Sequence, residues 1–141
     1  MSLNSKKVLV FGTFDGIHDG HRFFLREAKK HGDELVVVVA KDGTVKKLKG
    51  SLPKIPLPNR IKTLEDESLA DRVISGDENI GSWKIVKREA PNVICLGYDQ
   101  KELAVKLMKD LPDIGPNIEI AIIGDYKGDE LHNSIIKKHS G

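Results

Sequence analysis

Apolar residues recur along this chain as short continuous runs, near residues 7–11, 35–40, 72–75, 92–96 and 118–123. The runs are rich in Val and Ile and bounded by Gly, Asp or Pro. Such runs suit strands of a parallel sheet that is buried on both faces. Between them lie helical candidates near 20–31, 58–66, 81–90 and 100–111, with a last helix expected near 132–139. Alternating strands and helices predict an α/β fold: a doubly wound, Rossmann-like, five-stranded and mainly parallel sheet with right-handed crossovers. In that architecture ligands sit beyond the carboxyl ends of the strands, at the switch point. One domain accounts for residues 1–141, with residues 1–5 expected as a disordered start.

Composition narrows the class. With 39% hydrophobic and 31% charged residues, the chain suits a soluble globular domain large enough for a proper core. A net charge of +2 with scattered lysines gives no nucleic-acid footprint. No run is long enough for a signal peptide or a membrane span; the longest, Leu35 to Ala40, has six residues. A single cysteine, Cys95, excludes an internal disulfide and fits a reducing, cytoplasmic compartment. Its place in Val93-Ile94-Cys95-Leu96 reads as a buried thiol rather than a nucleophile.

Candidate chemistry concentrates after the first strand. Gly12-Thr13-Phe14-Asp15-Gly16-Ile17-His18-Asp19-Gly20-His21 joins that strand to a helix beginning near Gly20. A helix N-terminus presents unpaired N–H groups and partial positive charge, so it attracts phosphate. Imidazoles placed there can donate to phosphate oxygens, and glycines let the backbone approach. Neither G-x-G-x-x-G nor G-x-x-x-x-G-K-[ST] is present. Two histidines without a nearby cysteine make a poor zinc site.

Other segments fall at the same sheet edge. Residues 41–57, with Gly43, Gly50, Pro53, Pro56 and five lysines, are expected to form a mobile basic loop, from which Lys46 or Lys47 could reach phosphate. Arg60 lies in the first turn of a helix, against the dipole. An anion would resolve that placement, as would a salt bridge to Glu65 or Asp66. Gly97-Tyr98-Asp99-Gln100 follows the fourth strand; Asp99 could cap the next helix or meet a ribose or base. His132, Asn133 and Ser134 are expected at the start of the last helix, as caps or as a second phosphate site.

The stretch from Gly12 to His21 resembles, at every position, the nucleotidylyltransferase signature (G/T)-x-F-D-x-x-H-x-G-H. Together with Val36 to Lys47, Pro58 to Arg60, Gly76-Asp77, Pro91 to Ile94 and Gly97 to Gln100, it makes the chain similar to archaeal FAD synthetases. Those are compact relatives of glycerol-3-phosphate cytidylyltransferase, and the likeness covers about residues 7 to 138. It implies transfer of AMP from ATP to FMN, giving FAD and pyrophosphate, with magnesium or another divalent cation and a homodimeric enzyme. CTP-dependent transfer to glycerol 3-phosphate or another phosphorylated small molecule is the alternative; a non-catalytic nucleotide-binding module is a second.

Carried over by position, His18 and His21 would stabilise the transition state. Lys46 would reach the α-phosphate or the acceptor. The Gly12-Thr13-Phe14 backbone would cradle phosphate while Asp15 holds the loop in shape. Arg60 would bind the leaving pyrophosphate, and Gly97 and Asp99 would line the adenosine site. Trp83, Tyr98 and Tyr126 are the aromatic candidates for a flavin. The sequence departs from the family at His132-Asn133-Ser134, where a Ser/Thr triplet is usual and only Ser134 keeps a hydroxyl.

Overall fold

The computed structural model describes residues 5–79 and 81–124, and the backbone of 133–138. The first four residues of the expected disordered start lie outside the described residues. The elements run β1 (Lys7–Gly12), α1 (Asp19–Lys29), β2 (Glu34–Val39), α2 (Asp42–Lys49), α3 (Leu57–Glu67), β3 (Arg72–Ser75), α4 (Lys84–Glu89), β4 (Val93–Gly97), α5 (Lys101–Ile114), β5 (Glu119–Ile123) and β6 (Asn133–Lys138). The sheet order is β3-β2-β1-β4-β5-β6. The first five strands are parallel and β6 joins β5 antiparallel.

Successive strand residues point to opposite faces, so each strand supplies two cores. Val8, Val10, Val37, Val39 and Cys95 meet Leu25 and Ala28 of α1 and Leu64 of α3 on one face. Leu9, Val36, Val38, Ile94 and Leu96 meet Val86 of α4 and Leu107 and Leu111 of α5 on the other. The chain winds outward from β1 through α1 and α3 on the first face. It then returns through α4 and α5 on the second, which is the doubly wound arrangement expected. Burial pushes the Cys95 thiol up to about 12, so it is the inert core thiol read from its neighbours.

Three boundaries differ from the sequence expectation. Residues 42–49 are the helix α2 and not a loop. Thr44 and Val45 are buried, and the Thr44 hydroxyl donates to the carbonyls of Asp77 and Glu78. These contacts come from distant sequence, while Gly43 and Gly50 disguise the local signal. Gly50 ends the helix at φ 83 in the left-handed region. The helix expected near 81–90 shortens to Lys84–Glu89, because Gly81 and Trp83 both take positive φ just before it.

The last helix expected near 132–139 is a correction: residues 133–138 form the strand β6. β5 would otherwise present an unpaired edge, and the β-branched pair Ile135-Ile136 suits a strand that covers it. Asn133 and Ser134 therefore pair with Ile123 and Ile122 and open no helix. His132 and Tyr126 lie outside the described residues.

Candidate active site

The turn between β1 and α1 is held from beneath by its phenylalanine. Phe14 takes φ 52, a left-handed conformation that costs a non-glycine residue about 1 kcal/mol or more. Its ring is buried in the core, which compensates. A Cβ on Gly12 would lie 2.5 Å from the Phe14 ring, so the glycine makes room for the ring to fold under the strand. Across the turn the Phe14 and His21 rings lie 5.3 Å apart, centroid to centroid.

His18 and His21 come together as the N-terminal cap of α1. His18 Nδ1 accepts from the Gly20 N–H at 3.1 Å, and His21 Nδ1 accepts from the His18 N–H at 3.3 Å. Their rings stack with centroids 3.8 Å apart. An accepting Nδ1 carries no proton, so each neutral imidazole keeps its hydrogen on Nε2. The pair thus offers two Nε2–H donors beside a helix N-terminus, which is an arrangement for a phosphate group. Burial holds His21 below the usual histidine value; the His18 ring, Lys49 and Arg22 push the same way, and Asp99 opposes them. Gly20 is required locally, since a Cβ there would meet His18 Cε1 at 2.9 Å.

Asp15 acts on the far side of the turn. Its carboxylate accepts from the Lys54 and Ile55 N–H groups, both at 2.8 Å. Those bonds, the Lys54 amide foremost, hold it below the usual carboxylate range. Asp15 thereby ties the chain before α3 to the histidine turn.

Arg60 is a correction. Its side chain is wholly inaccessible to solvent. Nε donates to the Ile55 carbonyl, one terminal nitrogen donates to the carbonyls of Thr13 and Ala40, and the other bonds to Asp42 at 2.5 Å. Its ionic partner within the chain is Asp42, in place of Glu65 or Asp66. A guanidinium so committed is a strut beneath the turn after β1 and presents no accessible face to pyrophosphate in this structure.

The remaining candidates divide. Lys46 and Lys47 are exposed on α2, but the lysine whose charge reaches His21 is Lys49, one turn beyond Lys46. Sequence reading missed it because five lysines in one segment are indistinguishable until the helix gives them a face. Asp99 is exposed at the end of β4, close enough to bear on His21, and α5 opens without any side-chain cap. Gly97 is tightly enclosed: a Cβ there would meet Asp99 Oδ1 at 2.8 Å. Thr13 contributes its carbonyl to Arg60. Ser134 lies on β6, paired with Ile122 of β5, and opens no helix.

Trp83 is in the core, edge-on to Phe11 and donating to Asp110, so it presents no free face to a flavin; Tyr98 is half-exposed. A cleft of about 600 Å³ lies beyond β3, lined by Lys41, Gly76, Asp77, Ser82, Lys84 and Arg88 among others. Its lining residue Lys41 follows Ala40, whose N–H donates to the Gly12 carbonyl. Among the described residues no three His, Cys, Asp or Glu side chains cluster as metal ligands.

A turn after β1 of a doubly wound sheet, with paired histidines capping the following helix, is the class of arrangement that suits a phosphate-bearing ligand in an α/β domain. The cytidylyltransferase-like family model matches residues 9–135, and the chain belongs to that family. It is 42% identical over 132 residues to the FAD synthase of Thermoplasma acidophilum, covering 94% of this chain and 92% of that one. It is 44% identical over 131 residues to the FAD synthase of Pyrococcus horikoshii, covering 92% and 88%. A solved structure from Thermoplasma volcanium, described as a lipopolysaccharide core biosynthesis protein, superposes with TM-score 0.76 at 36% identity over 89% of this chain and all of that one. The pantoate-β-alanine ligase of Francisella tularensis shares the fold alone, with TM-score 0.64 and 14% identity over 92% of this chain and 62% of that one.

Proposed function

We propose that this protein is an FAD synthase, transferring the adenylyl group of ATP to FMN. An oxygen of the FMN phosphate attacks the α-phosphorus of ATP, the bond to the β-phosphate oxygen breaks, and pyrophosphate leaves. The acceptor is already a nucleophile, so the protein's work is positioning and charge stabilisation. The observation that carries this reading is the pair of Nε2–H donors on His18 and His21 at the N-terminus of α1. The extensive likeness to proteins named FAD synthase supports the substrate pair.

In this reading the Gly12-Thr13-Phe14 backbone and the two histidines receive the phosphates, while Gly97 and Asp99 line the nucleoside side. Lys46 and Lys49, on one face of α2, neutralise charge on the α-phosphate or acceptor. Arg60 keeps the turn in place. The cleft beyond β3 falls within the 300–1,000 Å³ range of small-molecule sites and lies across β1 from Gly97, which suits the acceptor. Magnesium is expected to arrive on the nucleotide. It takes one or two protein carboxylates at most, its remaining ligands being phosphate oxygens and water. When bound it would neutralise phosphate charge. We further place the enzyme in the cytoplasm as a homodimer, which light scattering on the purified protein would check.

The experiment is pyrophosphate release with magnesium over a grid of ATP and CTP against FMN, glycerol 3-phosphate and phosphocholine, with products identified by mass. FAD from ATP and FMN alone is the expected result. Product from CTP and a phosphorylated alcohol would replace the substrate pair and keep the site. Silence with retained nucleotide binding would favour the non-catalytic module.

A further inference from the structure

The sheet comes apart at the point where its topology places a ligand. β1 and β4 pair from Val8 and Val93 to Val10 and Cys95, and no further. Beyond that, the end of β1 stays with β2 through Gly12 and Val39, and the end of β4 stays with β5 through Gly97 and Ile123. The crossovers leave these two strands in opposite directions, so the gap is the switch point.

One side chain spans the gap. Gln100 Oε1 accepts from the Gly97 N–H at 2.7 Å, and its Nε2 donates to the Phe11 carbonyl at 2.9 Å. Gln100 stands at the N-cap of α5, yet its side chain makes no capping bond there. Its own backbone is fixed, donating to the Gly97 carbonyl and accepting from the Ala104 N–H, both at 3.0 Å. A primary amide suits the task because donor and acceptor sit on one planar group.

We propose that Gln100 is a positioning residue that sets the spacing between the two halves of the nucleotide site. On one side Phe11 leads directly into Gly12, Thr13 and the histidine pair. On the other, Gly97 leads into Asp99. The assignment of phosphates to the first half and nucleoside to the second rests on the nucleotidyl-transfer reading above. A ligand spanning both halves benefits from a fixed spacing, whereas a fragment filling one half does not.

The test is Gln100→Met, which keeps the length and removes both hydrogen bonds, with affinities for ATP, pyrophosphate and AMP measured by calorimetry. ATP affinity is expected to fall about tenfold while pyrophosphate and AMP stay within about twofold. Equal losses on all three, or no loss on ATP, would overturn the proposal. Gln100→Glu keeps the acceptor for Gly97 but turns a carboxylate oxygen on the Phe11 carbonyl, so it breaks the bridge on that side and is expected to lose more affinity for ATP than for AMP. It also stands in should the Met variant fold poorly. If the wild type prefers CTP, the same comparison runs with CTP and CMP, so failure of the FAD synthase reading is seen separately. Amide hydrogen exchange without nucleotide gives an independent readout. The Gly97 N–H should exchange about tenfold faster in Gln100→Met, with Leu9 and Ile94 unchanged. An unchanged Gly97 rate overturns the bridge whatever the protein binds.

Discussion

At the scale of single residues, the proposed chemistry rests on where two imidazoles keep their protons. The backbone N–H groups of Gly20 and His18 occupy both Nδ1 atoms, leaving both Nε2–H groups for a ligand. Replacing either histidine with alanine should therefore remove a donor aimed at charge that develops in transfer. We expect roughly 2 to 4 kcal/mol of lost transition-state stabilisation, read as a drop in kcat for pyrophosphate release. Wild-type turnover in either variant would count against the mechanism. Protonation has a definite sign here. Burial, then the neighbouring His18, lowers the His21 value in the folded protein. The unfolded chain thus takes up the proton first on acidification. The His21 contribution to stability is intact above the ordinary histidine value of about 6.5 and is lost as pH falls below it, toward the folded value. Ring NMR titration should find His21 titrating below 6.5. A midpoint above that value would contradict the packing around His21.

Between elements, the decisive contacts are buried polar ones. Arg60 of α3 joins the turn after β1, the end of β2, the start of α2 and the Ile55 carbonyl. Arg60→Met should leave three carbonyls without a donor. We expect a cost of roughly 3 kcal/mol in urea unfolding, together with loss of activity. A variant of unchanged stability that merely bound pyrophosphate more weakly would restore the ligand role the sequence suggested. Only the fold explains why an arginine sits in that first turn: its charge is answered by Asp42, at the start of the neighbouring α2. Asp15 has the complementary task, holding residues 54 and 55 by their N–H groups. The histidine pair, with an apolar run before it, was legible because all its partners lie within a few residues.

For the whole molecule, function depends on a sheet that splits at its centre and is sealed at its edge. The opening lies between β1 and β4, where ladder bonds stop after Val10 and Cys95. In the proposed function a nucleotide bridges that opening, so it should bind only the folded state and stabilise the entire domain. At one hundred times its Kd, ATP is expected to add about 2.7 kcal/mol, read as a rise in Tm. No Tm change with ATP or CTP would remove the crevice as a nucleotide site. At the opposite, amino edge, Lys7 of β1 and Arg72 of β3 converge on Glu89 of α4, a network that binds strands to helix. No described helix is long and apolar enough to cross a membrane.

The sequence by itself determined the five parallel strands, the helices α1, α3 and α5, the location of the histidine turn and the family. Each of those is written in local terms: apolar runs of strand length, helical periodicity, and ten contiguous residues from Gly12 to His21. Tertiary structure alone decided four other matters. Residues 42–49 are a helix whose Thr44 and Val45 are buried, with the Thr44 hydroxyl within reach of carbonyls from another loop. Residues 133–138 are a strand because the β5 edge offers them ladder partners. Arg60 is a strut because four residues from three chain segments bond it. Gln100 serves the gap between β1 and β4 because its partner Phe11 lies 89 residues away. Local pattern carries the preference of a segment, but a buried polar group takes whatever donor or acceptor the finished fold brings to it.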